Sequence, residues 1–362
     1  MDYAVRQDRL AAELGRRNLP ALLVSHLPNV RYLCGFTGSA GLLLVMSGGR
    51  GRKAILFTDG RYTAQAAAEV QQAKVVIAKG PAMAEACSAA RKARLKRMGF
   101  EADHVPYSGF RQLKRALDSS VRLAPVSGLV EEMRVIKEAA EIEQIRAAVL
   151  LGSSLFQTLL STIRPGVAES VVAGELELQA RKAGAEGMSF DTIVAAGRRS
   201  ALPHGRASAQ PIPGDGFIIL DYGVILAGYC SDMTRTVHLG PVSAVHRSMY
   251  QAVLDAQMAS IEVVRPGAET GEVDRKGREI LKKAGYGAYF THSTGHGVGI
   301  EVHEQPRLAK GQKQKLEPGM VVTIEPGIYV PEDGGVRIED MVLVTETGHE
   351  VLTPTTKELI TL

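Results

Sequence analysis

Five residues in the C-terminal half of this chain, Asp221, Asp232, His296, Glu325 and Glu339, have the types and spacing to hold metal ions. Four carboxylates and one imidazole bring too much negative charge for one small cation. Two divalent ions, about +4 together, balance four carboxylates at about −4, and that balance points to two-metal hydrolysis, in which a water becomes a nucleophile near neutral pH. An oxygen-rich set with one imidazole suits a harder ion such as Mn²⁺, whereas affinity order alone favours zinc or copper.

Each candidate stands in a context that can hold it rigidly. Asp221 closes the apolar run 216–221, which reads as a buried strand. A second strand is expected over 228–237, with Gly228 in the hairpin turn, so that Asp221 and Asp232 come face to face. His292, His296 and His303 fall within twelve residues among several glycines, which is not how a core strand is written. Glycines beside His296 are expected to let the backbone approach an ion or substrate closely. A hydrogen-bonded structural role stays open for His292. Glu325 closes the strand 321–324, and Glu339 lies in the run 334–344. Arg337 and Glu339 are two apart, so on one strand they share a face, and Arg337 can orient a ligating carboxylate from behind. Asp340 is expected on the opposite face and is not taken as a ligand.

These segments carry a resemblance. Asp221-Tyr222-Gly223, Ser231-Asp232-Met233-Thr234-Arg235-Thr236, His292-Ser293-Thr294-Gly295-His296-Gly297, Val302-His303-Glu304, Ile324-Glu325-Pro326-Gly327 and Gly335-Val336-Arg337-Ile338-Glu339-Asp340 resemble the pita-bread metallopeptidases. That family includes methionine aminopeptidase, aminopeptidase P, prolidase and the creatinases. The likeness extends to the N-terminal half. There, 29–39 and 56–62 are similar to the bacterial Xaa-Pro peptidases and less like creatinase.

The resemblance implies two divalent ions, Mn²⁺ first and Co²⁺ or Zn²⁺ as alternatives. It implies Asp221, Asp232, His296, Glu325 and Glu339 as their ligands, with Asp232 and Glu339 bridging. It implies Glu325 as the proton shuttle and His204 and His303 as hydrogen-bond donors to the substrate carbonyl and its oxyanion. It implies His292 at the proline-side pocket and Arg337 behind a bridging carboxylate. The expected activity is metal-dependent Xaa-Pro aminopeptidase. The motif Phe57-Thr58-Asp59-Gly60-Arg61-Tyr62 tilts the reading that way, and the Xaa-Pro dipeptidase (prolidase) is the alternative. A bond before proline is a tertiary amide with no N–H, poorly gripped by peptidases that hold an extended backbone. A creatinase-like hydrolase without metals and a catalytically dead binding protein are two further readings, and the complete ligand set argues against both.

The elements that must position these residues divide in two. An α/β N-terminal domain, creatinase/prolidase-like, is expected over 1–126, with strands at 21–24, 42–45 and 54–57. An α+β pita-bread catalytic domain is expected over 127–362, with Pro125 and Gly128 at the boundary and a long helix opening it. An internal pseudo-twofold repeat is legible there. Arg164-Pro165-Gly166 opens a helix ending at Lys182-Ala183-Gly184, and Arg265-Pro266-Gly267 opens one ending at Lys283-Ala284-Gly285. Gly187, Phe190 and Gly197 recur as Gly287, Phe290 and Gly297. Two such halves, each supplying carboxylates and a histidine, place a dinuclear site on a pseudo-twofold axis.

Composition narrows the partners. With 362 residues the chain can build two cores. A net charge of +4 is too mild for a nucleic-acid binder. The densest basic run, 91–97, reads as the wet face of a helix. Cys34, Cys87 and Cys230 are odd in number and scattered, which fits a reducing compartment. The first ten residues hold no signal-like apolar core, and no run is expected to span a bilayer. The expectation is a cytoplasmic protein, not bound to membrane or nucleic acid, that takes Xaa-Pro peptides and forms a homodimer.

Overall fold

The computed structural model describes residues 1–48, 54–117 and 121–362. They form two compact units, Met1–Arg134 and Val135–Leu362. The first unit runs α1 (Tyr3–Arg16), β1 (Ala21–Val24), α2 (Leu27–Cys34), β2 (Leu42–Met46), β3 (Ala54–Thr58), α3 (Thr63–Glu69), β4 (Ala73–Ile77), α4 (Ala82–Lys92), β5 (Arg97–Glu101), α5 (Tyr107–Leu117), β6 (Arg122–Val126) and α6 (Leu129–Arg134). Its strands make one sheet in the order β4-β3-β2-β1-β5-β6. The pairs β1/β2 and β2/β3 are antiparallel, and β1/β5, β3/β4 and β5/β6 are parallel. Leu23, Leu44 and Phe57 of the sheet bury against Ala86, Ala90 and Leu113 of α4 and α5.

Helix α6 was expected in the second domain, but it is bonded into the first unit. Arg134 Nη1 donates to Asn29 Oδ1 at 2.7 Å, and Tyr32 Oη donates to the Met133 carbonyl at 3.2 Å. The basic run 91–97 is not one helix face. Arg91 and Lys92 end α4, Arg94 turns the chain at φ 55°, and Arg97 begins β5.

The second unit opens with α7 (Ala139–Ser154), α8 (Phe156–Thr162) and α9 (Glu169–Lys182). By length and apolar content the stretch Ala139–Thr162 could cross a membrane, against expectation. It is a core element: Ile145, Ala148, Val149 and Phe156 are all buried within the unit. Next come β7 (Gly187–Met188), β8 (Ile193–Ala196), β9 (Gly216–Tyr222), β10 (Val224–Leu226), β11 (Tyr229–Cys230), β12 (Met233–Leu239), α10 (Ala244–Ile261) and α11 (Thr270–Lys283). The chain ends with β13 (Gly295–Gly297), β14 (Glu304–Leu308), β15 (Val321–Ile324), β16 (Gly327–Val330), β17 (Gly334–Arg337), β18 (Asp340–Val344) and β19 (His349–Val351).

The repeat appears as two sheets of matching order. One is β12-β9-β8, and the other contains β18-β15-β13, each antiparallel throughout. A helix of 14 residues precedes each, α9 in the first half and α11 in the second. Gly166 and Gly267 enter these helices at φ 85° and 83°, and Gly184 and Gly285 leave them at 98° and 89°. Left-handed backbone at all four turns explains why glycine recurs there. Even the isolated bridges Ala168↔Pro211 and Glu269↔Lys315 correspond.

Candidate metal centre

Strand alternation decides which side chains reach the centre. On β9, Ile218, Leu220 and Tyr222 pack with Val172 and Leu176 of α9. Ile219, on the other face, packs with Tyr329, and Asp221 shares that face. On β15, Val322 and Ile324 join Val273 of α11, so Thr323 and the following Glu325 turn to the opposite face. Asp232 and Glu339 occupy matching positions, each immediately before the third strand of its half, β12 or β18. His296 sits in β13.

The expected single strand 228–237 is broken. A tight turn at Ala227 and Gly228 joins β10 to β11, and β12 starts only at Met233. In the β9/β12 register Asp221 stands opposite Thr234, so Asp232 lies beyond the ladder instead of facing Asp221 directly. The glycines beside His296 serve a different purpose from the expected one. A Cβ at Gly295 would overlap the Thr323 carbonyl, and one at Gly297 the Gln305 carbonyl. They allow close strand packing, not approach to a ligand.

Ligand atoms of Asp232, His296 and Glu339 lie within 4.8 Å of one another. His296 Nε2 is 3.6 Å from Asp232 Oδ2 and 3.5 Å from Glu325 Oε1. Those gaps are long for hydrogen bonds and close to the ~3.4 Å spacing of two ligands each ~2.1 Å from one ion. His296 Nδ1 lies 3.0 Å from the Gly297 carbonyl. Assigning that nitrogen the proton leaves Nε2 as a lone pair facing the carboxylates, the arrangement a ligating histidine needs.

The charges are uncompensated without cations. Burial and the neighbouring Glu339, Asp221 and Glu325 carboxylates push Asp232 well above the ordinary carboxylate range. Burial, Glu339 and Asp221 do the same to Glu325. Burial and Asp221 raise Glu339 to about 8. Burial lowers His296 to about 4, which keeps it neutral. Asp221 Oδ1 is buried with no hydrogen-bond partner among the described residues. An orphaned carboxylate oxygen beside three buried acids, each shifted upward by burial and by its neighbours' charge, is what a divalent-ion site looks like in its metal-free protein. The donor set therefore fits two such ions.

Arg337 does not reach Glu339 directly. It ends β17, while Glu339 follows in the break before β18, so the one-strand geometry expected for the pair is lost. Arg337 Nη2 donates to Asp221 Oδ2 at 2.6 Å, and Nε donates to Thr234 Oγ1 at 3.2 Å. Thr234 Oγ1 in turn donates to Glu339 Oε2 at 2.7 Å. Arg337 Nη1 donates to Tyr329 Oη at 2.7 Å, and Tyr329 Oη lies 2.8 Å from His292 Nε2. With Nδ1 of His292 on the Ser293 carbonyl at 2.7 Å, Tyr329 is the donor to Nε2. Burial and Arg337 hold His292 near 4, consistent with a neutral acceptor. His292 is thus committed to a chain running through Tyr329 and Arg337 to Asp221. Sequence reasoning missed Tyr329 and Thr234. Thr234 lies inside a quoted motif and Tyr329 two residues beyond one, but nothing in spacing distinguishes a hydroxyl that supports a ligand from one that packs.

The remaining histidines line the rim. The His303 ring sits 4.4 Å from that of His296, edge to face, with its outer side open to solvent. Partial burial lowers its pKa, Asp221 opposes that, and His204 adds to it. His204 is exposed, close enough to act electrostatically on both His303 and His292. Asp340 stays out of the centre as expected: it is fully buried and paired with Arg235 Nη2 at 2.7 Å and Lys357 Nζ at 2.9 Å.

Residues 143–346 match metallopeptidase family M24, and residues 6–136 match the creatinase/prolidase N-terminal domain. The chain is 41% identical to the Xaa-Pro dipeptidase from Bacillus anthracis, whose structure it matches with a TM-score of 0.95 over 100% of both chains. It is 36% identical to the Xaa-Pro dipeptidase of Pyrococcus horikoshii over 96% of both. It is 34% identical to the X-Pro aminopeptidase from Thermotoga maritima, with a TM-score of 0.90, covering 98% of this chain and 100% of that one.

Proposed function

The chain belongs to metallopeptidase family M24, and from that premise we propose that it is a two-metal peptidase cleaving the bond before proline, with the free Xaa-Pro dipeptide as its substrate. The observation that carries the reading is the buried cluster of Asp232, His296, Glu325 and Glu339 with the orphaned Asp221 oxygen beside it. The choice of dipeptide over longer peptide rests on the dipeptidase relatives. It reverses the expectation drawn from residues 57–62, whose Asp59 and Arg61 simply pair with each other at 2.9 Å. The aminopeptidase remains the second reading because the Thermotoga enzyme is also similar over nearly the whole chain.

In this reading Asp221, Asp232, His296, Glu325 and Glu339 hold the two ions, with Mn²⁺ favoured by the oxygen-rich donor set. Two bound divalent ions supply a water nucleophile at neutral pH and positive charge for the substrate carbonyl. Glu325 takes a proton from the attacking water and delivers it to the departing proline nitrogen, which has no proton of its own while it is an amide. His303 and His204 donate hydrogen bonds to the carbonyl oxygen as charge develops on it. Arg337 fixes Asp221, Thr234 fixes Glu339, and Tyr329 fixes Arg337 against His292. A homodimer is the proposed assembly, checked by light scattering on the eluting protein; a monomer peak contradicts it.

The test of substrate length is product analysis with Ala-Pro and Ala-Pro-Ala side by side on Mn²⁺-loaded protein. Cleavage of Ala-Pro alone supports the dipeptidase. Release of alanine from Ala-Pro-Ala with equal ease replaces it with the aminopeptidase.

A further inference from the structure

His204 is exposed on the segment between β8 and β9, so its place at the rim depends on what holds that segment. One carboxylate grips both ends of it. Glu169 opens α9 and is only 1% exposed. Its Oε1 accepts from the Ala196 N–H at 2.9 Å and from Arg199 Nε at 3.1 Å. Its Oε2 accepts from Arg199 Nε at 3.0 Å, and from the N–H and Oγ of Ser208 at 3.1 and 2.7 Å. Arg199 then crosses the loop, its Nη2 donating to the Arg206 carbonyl at 2.9 Å. Next to His204 the loop is tied to the metal centre. Arg337 Nη1 donates to the Pro203 carbonyl at 3.2 Å, while its Nη2 holds Asp221.

The second half of the repeat makes the same turn without a carboxylate. Ala168 bridges Pro211 as Glu269 bridges Lys315. The next N–H in each half donates to a glutamine carbonyl, Glu169 to Gln210 at 3.1 Å and Thr270 to Gln314 at 2.9 Å. Glu169 and Thr270 are therefore equivalent positions. Thr270 is fully buried, and its Oγ1 has no hydrogen-bond partner among the described residues. The backbone turn thus forms around a threonine and does not require Glu169. A buried carboxylate is costly unless its oxygens are satisfied, and here they are satisfied by the two ends of the His204 loop.

We propose that Glu169, through Arg199 and Ser208, is a positioning residue that holds His204 ready for the substrate carbonyl. The proposal rests on the role given to His204 in the peptidase reading. A loop already fixed when the substrate arrives has little ordering cost left to meet, and a donor misplaced by about 1 Å loses much of its effect.

The test uses the full Mn²⁺-loaded chain and a cycle of Glu169→Thr, His204→Ala and the double variant. Glu169→Thr installs the side chain that the second half already folds around. It is expected to lower kcat for Ala-Pro about 10-fold in the wild-type background and less than about 2-fold once His204 is gone. An equal loss in both backgrounds, or none in either, overturns the proposal. Wild-type turnover by His204→Ala removes His204 from the peptidase reading and overturns the proposed link to it. Trypsin nicking judges the clamp without the peptidase assay, since the Arg206 side chain is 79% exposed. Cleavage after Arg206 is expected to quicken about 10-fold in Glu169→Thr, with cuts in the first unit at the wild-type rate. Unchanged nicking after Arg206 overturns the clamp, and nicking quickened throughout the chain makes Glu169 a general structural residue and overturns it equally.

Discussion

At the scale of single residues the account turns on two side chains. Glu325 is the carboxylate assigned the proton transfer, so Glu325→Gln is expected to lower the turnover of Ala-Pro by about 10³-fold with little loss of folding. Proline release measured at saturating substrate checks this, and ordinary turnover by the variant removes Glu325 from the proton path. Among the described residues the Tyr329 hydroxyl bonds to His292 and Arg337 and to no proposed ligand, and through Arg337 it is tied to Asp221. Tyr329→Phe is expected to weaken Mn²⁺ binding about 10-fold, the lower end of what loss of an outer partner costs. Titration calorimetry measures that change, and unchanged affinity means that Arg337 holds Asp221 without help.

Elements explain which parts of this were legible in the sequence. Asp221 and Glu325 were readable because each ends an apolar strand, and a strand end facing the interior is a rigid place for a charge. The pairing of the halves was readable because four left-handed turns demand glycine at corresponding positions. Arg337's partner was not readable: a two-residue spacing implies a shared face only while the strand continues, and here it breaks between β17 and β18. Nor was the purpose of Gly295, which depends on how closely β15 passes. Gly295→Ala is expected to destabilise the protein by ~3 kcal/mol, since the Thr323 backbone carbonyl leaves no room for a methyl group. Urea unfolding of the metal-free protein reads it, and a change within ~0.5 kcal/mol shows that the strands can part. Arg235 is the other quiet element. Its guanidinium donates to the carbonyls of Thr234, Glu339, Thr355 and Thr356 and to Asp340, binding β12 to the Glu339 segment. Arg235→Ala leaves the buried Asp340 with Lys357 as its cation and Gln257 as a neutral donor, and is expected to cost ~3–5 kcal/mol by the same measurement. A loss under ~1 kcal/mol contradicts the clamp.

For the whole molecule, the charge imbalance of the centre links stability to pH and metal. Glu339, raised from an ordinary 4.5 to about 8, favours folding only while it is protonated, and Asp232 and Glu325 shift the same way. Their contribution is complete at low pH and is lost as pH rises through the folded-state value. His292 and His296, lowered from 6.5 to about 4, act oppositely, and their contribution is complete above 6.5. Between about pH 6.5 and 8 only the carboxylate effect remains. Metal-free protein is therefore expected to lose thermal stability as pH rises across that window, and Mn²⁺ to cancel the loss. A flat melting profile for the metal-free form contradicts the imbalance. The most direct test of the central claim is a Mn²⁺ titration of metal-stripped protein, with Ala-Pro cleavage followed against ions bound per chain. The account predicts no cleavage at zero and activity that saturates at two equivalents. Full cleavage without metal, or none with two ions bound, contradicts it.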